Sequence, residues 1–181
     1  MRGILGDWEV ATIVGAASGP PITAYAGFVP GVSWSISGTG SGIQYPIRTS
    51  APCRADGGLP EQIINPAAYT LNAYRLGTNG TARRGDCTGP DYFQTDLAFY
   101  KNIGLPGRLK LQVRWDIFNV FNNTNFLFTS VNNYLNLTSA TLDAPIESAT
   151  TIVSTTVPTS FGQATATRDA RQMQLGVKLV W

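Results

Sequence analysis

Four stretches of the chain alternate apolar and polar side chains with a period of two, the repeat of a strand whose two faces meet different surroundings. The clearest is RQMQLGVKLVW at the C-terminus. Met173, Leu175, Val177, Leu179 and Trp181 point one way, and Gln172, Gln174, Gly176, Lys178 and Val180 point the other. In LKLQVRWDIFNVF, Leu109, Leu111, Val113, Trp115 and Ile117 oppose Lys110, Gln112, Arg114 and Asp116. The stretch from Asp91 to Ile103 sets Phe93, Thr95, Leu97 and Phe99 against Tyr92, Gln94, Asp96 and Asn102. A weaker alternation runs from Asp7 to Ala17, with Trp8, Val10, Thr12, Val14 and Ala16 on one side. Each stretch is about 10 residues long, which is what a tilted strand needs to cross a bilayer. A half-buried strand of a soluble protein alternates in the same way, so the pattern alone leaves both readings open.

The connections separate them. Gly104-Leu105-Pro106-Gly107 is a tight turn, with Pro and Gly at turn-forming positions. The other two connections run over about 18–90 and 122–167, lengths uncommon inside a compact soluble domain. Short turns at one end and long loops at the other are the asymmetry of outer-membrane barrels. The predicted architecture is therefore all-β: an antiparallel transmembrane β-barrel segment of about four strands. The strands fall at about 7–17, 91–103, 108–121 and 168–181, with two long extracellular loops and one tight periplasmic turn. The first loop, rich in Gly, Ser and Pro, is expected to need no packed core of its own. The second, LTSATLDAPIESATTIVSTTVPTS, is expected to hold an extra hairpin, and Pro66-Ala67-Ala68-Tyr69 a single helical turn.

Composition narrows the class further. Charged residues are 13% of the chain, about half the usual share of a soluble domain. A net charge of +2, with no basic cluster interleaved with aromatics, argues against nucleic acid as a partner. The longest apolar run, Ile13 to Ala17, is far short of a spanning helix, which needs roughly 18 residues. The start, MRGILGDWEV, carries an acid and a Trp where a signal peptide has its apolar segment, so an export signal is expected on sequence outside this stretch.

At four places the chain resembles the C-terminal part of TonB-dependent outer-membrane receptors, of the Oar-like acidobacterial type. LGDWEVATIVGAASGPPIT is similar to that family's "gW-x-hydrophobic…SG-P" strand, and IINPAAYTL to its "NPaaF" loop element. GPDYFQTDLAFYKNIGLPGRLKLQVRWDIFNVFNNTNF resembles the penultimate hairpin, and FGQATATRDARQMQLGVKLVW the closing strand. The resemblance implies a bacterial outer-membrane location and a wall segment of a receptor or transporter. Such receptors also carry a plug, a TonB-contacting segment and many more strands, so this stretch is not expected to transport by itself. It ends on Trp181 where Phe is commoner.

Candidate chemistry is sparse. Without histidine, the usual Ser-His-acid and Cys-His nucleophile systems are unavailable, and no enzyme activity, cofactor or metal site is expected. Gly38-Thr39-Gly40-Ser41-Gly42 lacks the Lys and following helix of a phosphate loop. Asp96, Lys110, Arg114, Asp116 and Lys178 are expected to face the lumen as a charge ladder rather than as a catalytic acid pair. Cys53 and Cys87 are expected to form a disulfide, the alternative being two unpaired thiols. Trp8, Trp115 and Trp181 are expected to anchor at the membrane interface, the alternative being ligand stacking; Trp34 is the better ligand candidate. The terminal series Met173, Leu175, Val177, Leu179 and Trp181 resembles the outer-membrane assembly signal, the alternative being an ordinary last strand. Expected partners are outer-membrane lipid, remaining barrel strands or further copies of the chain, and the barrel insertion machinery. Competing readings are an adhesive surface protein assembled edge to edge from several copies, and a soluble β-sandwich binding module.

Overall fold

The computed structural model describes residues 6–27, 44–57, 59–145 and 148–181. Trp34 and the run Gly38 to Gly42 lie outside the described residues. The chain divides into two compact units, one formed by residues 1–17, 91–125 and 167–181, the other by 18–90 and 126–166.

The first unit is one antiparallel sheet of four long strands: β1 (Trp8–Ala17), β2 (Tyr92–Gly104), β3 (Lys110–Phe118) and β4 (Gln172–Val180). They lie within or next to the stretches whose alternation predicts them, and they pair in sequence order, β1-β2-β3-β4. The sheet does not close on itself, so β1 and β4 are its two edges. The turn between β2 and β3 is closed by Leu105 N–H donating to the Leu109 carbonyl at 3.0 Å. Gly107 sits at φ 83°, a conformation only glycine adopts without strain, and nothing crowds the place of a Cβ there.

Register converts alternation into two faces. Val10, Phe99, Trp115 and Leu175 form one cross-strand row; Thr12, Leu97, Ile117 and Met173 form the next; Trp8, Lys101, Val113 and Val177 a third. These rows make one face that is apolar apart from Thr12 and Lys101. Much of it is open: Leu175 is 71% exposed, Val177 65% and Val10 60%. Soluble monomers rarely present so large an apolar patch.

The second unit corrects one expectation. The first long connection does have a packed core, built together with the second. Ile22, Ile64, Tyr69, Leu71 and Tyr74 are buried with Leu135, Ile152 and Phe161. The strands here are mostly two residues long, too short for any period to show in sequence. Ser139–Leu142 and Thr151–Thr156 form the hairpin expected in the second connection, and Tyr74–Arg75 adds a third strand to it. Pro66–Ala68 is a 3₁₀ turn. It starts there because the Asn65 side chain accepts from the Ala67 N–H at 3.0 Å and Pro66 lacks the N–H that would otherwise be orphaned.

Candidate functional site

The polar face of the sheet carries a series of hydrogen-bonded polar side chains. Gln94 Nε2 donates to Asp96 Oδ1 at 2.8 Å, and the Asn119 N–H donates to the same oxygen at 2.8 Å. Tyr92 donates its hydroxyl to Gln94 at 3.1 Å, and Gln112 donates to Asn102 across the β2–β3 pair at 3.0 Å. Arg114 Nε lies 2.6 Å from Asp116 Oδ2, with its guanidinium 5.2 Å from the Tyr100 ring centre. Asp116 is buried and its Oδ1 has no hydrogen-bond partner. Lys178 stands opposite Gln112, and Lys110 opposite Val180 near the turn. The five charges named from sequence therefore share one face. Arg114 and Asp116 are brought together as an ion pair, while Asp96 is held by amides rather than by a cation.

The apolar face carries the tryptophans. Trp8 is 56% exposed and Trp181 89%; both lie toward the turn end of the sheet. Trp115 sits in mid-strand, opposite Phe99 and Leu175, and not at a strand end where an interfacial anchor belongs. Met173, Leu175, Val177 and Leu179 are all exposed along the edge strand β4.

Lys101 was not among the residues singled out from sequence. The parity set by Phe93, Leu97 and Phe99 puts it on the apolar face, and reading that parity two residues further would have found it. Its ammonium donates to the Gly6 carbonyl and lies 5.1 Å from the Trp8 ring centre.

In the second unit, Cys53 and Cys87 are joined, with their Cα atoms 5.6 Å apart. Arg48 organises the same region. Its Nη1 donates to the carbonyls of Thr49, Ala51 and Ala68, its Nε lies 3.4 Å from Asp86, and it covers the Tyr69 ring. Tyr69 donates to Asp86 at 2.7 Å. Burial, then this hydrogen bond, push the Tyr69 phenol well above its ordinary range, and burial pushes Tyr74 up to about 12. At the hairpin tip, hydrogen bonds from the Thr150 side chain and from the Thr150 and Thr151 N–H groups hold the Asp143 carboxyl below its ordinary range.

A sheet of strands 9 to 13 residues long, apolar on one side except for Thr12, Thr95 and Lys101 and polar on the other, is built as a membrane-crossing β-wall. The outer membrane beta barrel domain matches this chain over residues 1–174, and the chain belongs to that family. Its place is the bacterial outer membrane. No curated protein and no solved structure matches it significantly.

Proposed function

We propose that this chain is part of the barrel wall of a TonB-dependent receptor or transporter of the Oar-like type, with no enzymatic activity of its own. The observation that carries the reading is that, among the described residues, β1 and β4 have no strand on their outer edges while a largely apolar, exposed face runs from one to the other. In hydrocarbon each unpaired backbone group costs several kcal/mol, and even the smallest barrels use about 8 strands. The edges are therefore completed by further barrel strands, the apolar face meets outer-membrane lipid, and the polar ladder lines an aqueous lumen. The long connections are then the extracellular ones, and β4 is the strand that the insertion machinery engages.

The mass of the intact protein from native outer membranes tests this. A value several-fold above 19.4 kDa is expected for a receptor. A mass of 19.4 kDa in an oligomer would favour edge-to-edge assembly of identical chains instead.

A further inference from the structure

A cleft of about 290 Å³ lies on the polar face, at the end of the sheet away from the tight turn. Gln94 of β2, Phe118 of β3 and Gln172 of β4 line it, together with Arg168, Asp169 and Ala170, which lead into β4. Its size is at the small end of ligand clefts. The backbone around it is pinned. The Arg168 N–H donates to the Asn125 carbonyl at 2.7 Å. The buried Asn119 donates its side-chain amide to the carbonyls of Asn123 and Asp169, at 2.9 and 3.5 Å. The Tyr92 hydroxyl is engaged by Gln94, and Gln94 by Asp96.

Two charged side chains of the cleft are not so engaged. The Arg168 guanidinium lies over the Tyr92 ring, 4.9 Å from its centre, a contact that uses none of its N–H groups. Among the described residues neither it nor the Asp169 carboxylate has a hydrogen-bonding or ion-pair partner. The two are adjacent in sequence and line one cleft, yet they do not pair with each other. Beside them stands the Phe118 ring, 42% exposed, on a face that β3 otherwise fills with Lys110, Gln112, Arg114 and Asp116. A cation, an anion and an apolar ring open to one small cleft define a ligand chemistry. Asp169 disfavours a simple anion and Arg168 a simple cation, whereas a molecule carrying both charges satisfies both.

We propose that this cleft binds a small zwitterion of amino-acid size with an apolar side chain. Its carboxylate meets the Arg168 fork, which suits a carboxylate's two oxygens, its ammonium meets Asp169, and its side chain covers the Phe118 ring. The pinned backbone presents both charged residues in place, so little ordering is left for the ligand to impose. The proposal rests on the reading of the polar face as the wall of an aqueous lumen, and it names a substrate class for that lumen.

The test uses the full protein in native outer membranes, with Ala170→Cys placing a thiol in the cleft; Cys53 and Cys87, being joined, do not react. A water-soluble sulfonated maleimide should label that thiol, and leucine should slow the labelling. Arg168→Gln and Asp169→Asn should each raise the half-protecting leucine concentration about tenfold, the factor that one charge-assisted hydrogen bond supplies. Leucinamide, which lacks the carboxylate, should need about tenfold more than leucine and be indifferent to Arg168→Gln. Labelling that leucine does not slow, or protection unchanged by Arg168→Gln, overturns the zwitterion site alone. A thiol that reacts only with a membrane-partitioning maleimide overturns the lumenal reading with it.

Discussion

Trp115 and Leu175 stand opposite each other where β3 and β4 pair, both on the apolar face and both substantially exposed, at 43% and 71%. In water this pair would be an unexplained liability, with nearly half of Trp115 and most of Leu175 left wet. In lipid it is the ordinary state of a wall strand. The pair also fixes depth, because its row lies in mid-strand.

That depth separates two substitutions that alternation alone treats alike. Leu175→Arg puts a charge near the bilayer midplane and should lower folding stability in vesicles by about 2–4 kcal/mol. Leu111, one residue into β3 and opposite Ile103 and Leu179, lies near the boundary, so Leu111→Arg should cost about 0–1 kcal/mol. Gln112→Arg, on the polar face, should cost little. Urea titration of folding into vesicles measures all three, and equal losses at Leu175 and Gln112 would remove the membrane assignment of the two faces.

The long strands were legible because each has one face in a uniform environment for nine residues or more, which imposes a period. The second unit was not. Tyr69 and Phe161 meet edge to face at 6.1 Å although 92 positions separate them, and no local pattern announces such a pair. The flanking strands Ile47–Arg48 and Tyr69–Thr70 are two residues each. Composition rich in Gly, Ser and Pro suggested open loop, whereas a handful of well-spaced large residues supplies the core. The ion pair of Arg114 and Asp116 shows a middle case: sequence put both on one face, and only the structure shows that Asp96 is held by Gln94 and Asn119 instead.

The disulfide joins two parts of the first connection 34 residues apart. Closing a loop of that length should stabilise the second unit by about 3–4 kcal/mol in the chain-entropy account. Cys53→Ala with Cys87→Ala should therefore make residues 18–90 markedly more sensitive to protease, with the β1–β4 hydrogen-exchange pattern retained. Peptide mapping that finds both cysteines as free thiols in native membranes would contradict the bond itself.

Two buried phenols give the second unit an alkaline limit. Tyr74, with a folded pKa of about 12, and Tyr69, raised further, both bind their protons more tightly when folded than an ordinary tyrosine does when unfolded. Their contribution is fully present below about pH 10, the unfolded value, and is lost as pH rises through the folded one. Tyrosinate absorbance should show these two groups ionising late and together with loss of tertiary structure. Tyr74→Phe should reduce the late component, and ionisation of both near pH 10 without unfolding would show that neither is buried.

The last prediction concerns the edge of the sheet. β4 is hydrogen-bonded to β3 along one side through nine residue pairs, from Gln172 opposite Phe118 to Val180 opposite Lys110. Its other side has no strand beside it among the described residues, and β1 stands at the far edge. A strand left so in hydrocarbon would expose a row of unpaired N–H and C=O groups, so the proposed wall requires pairing on that side. Such an edge, apolar at Met173, Leu175, Val177 and Leu179 and ending on the exposed ring of Trp181, is suited to capture by strand addition. Deleting Val180 and Trp181 should lower the amount of protein in the outer membrane while synthesis is unchanged, and Trp181→Phe should restore it because the aromatic end is kept. Quantitative immunoblots of outer-membrane fractions decide the matter: a deletion variant that reaches the membrane as well as the intact chain would mean that β4 is an ordinary last strand, inserted by contacts elsewhere in the barrel.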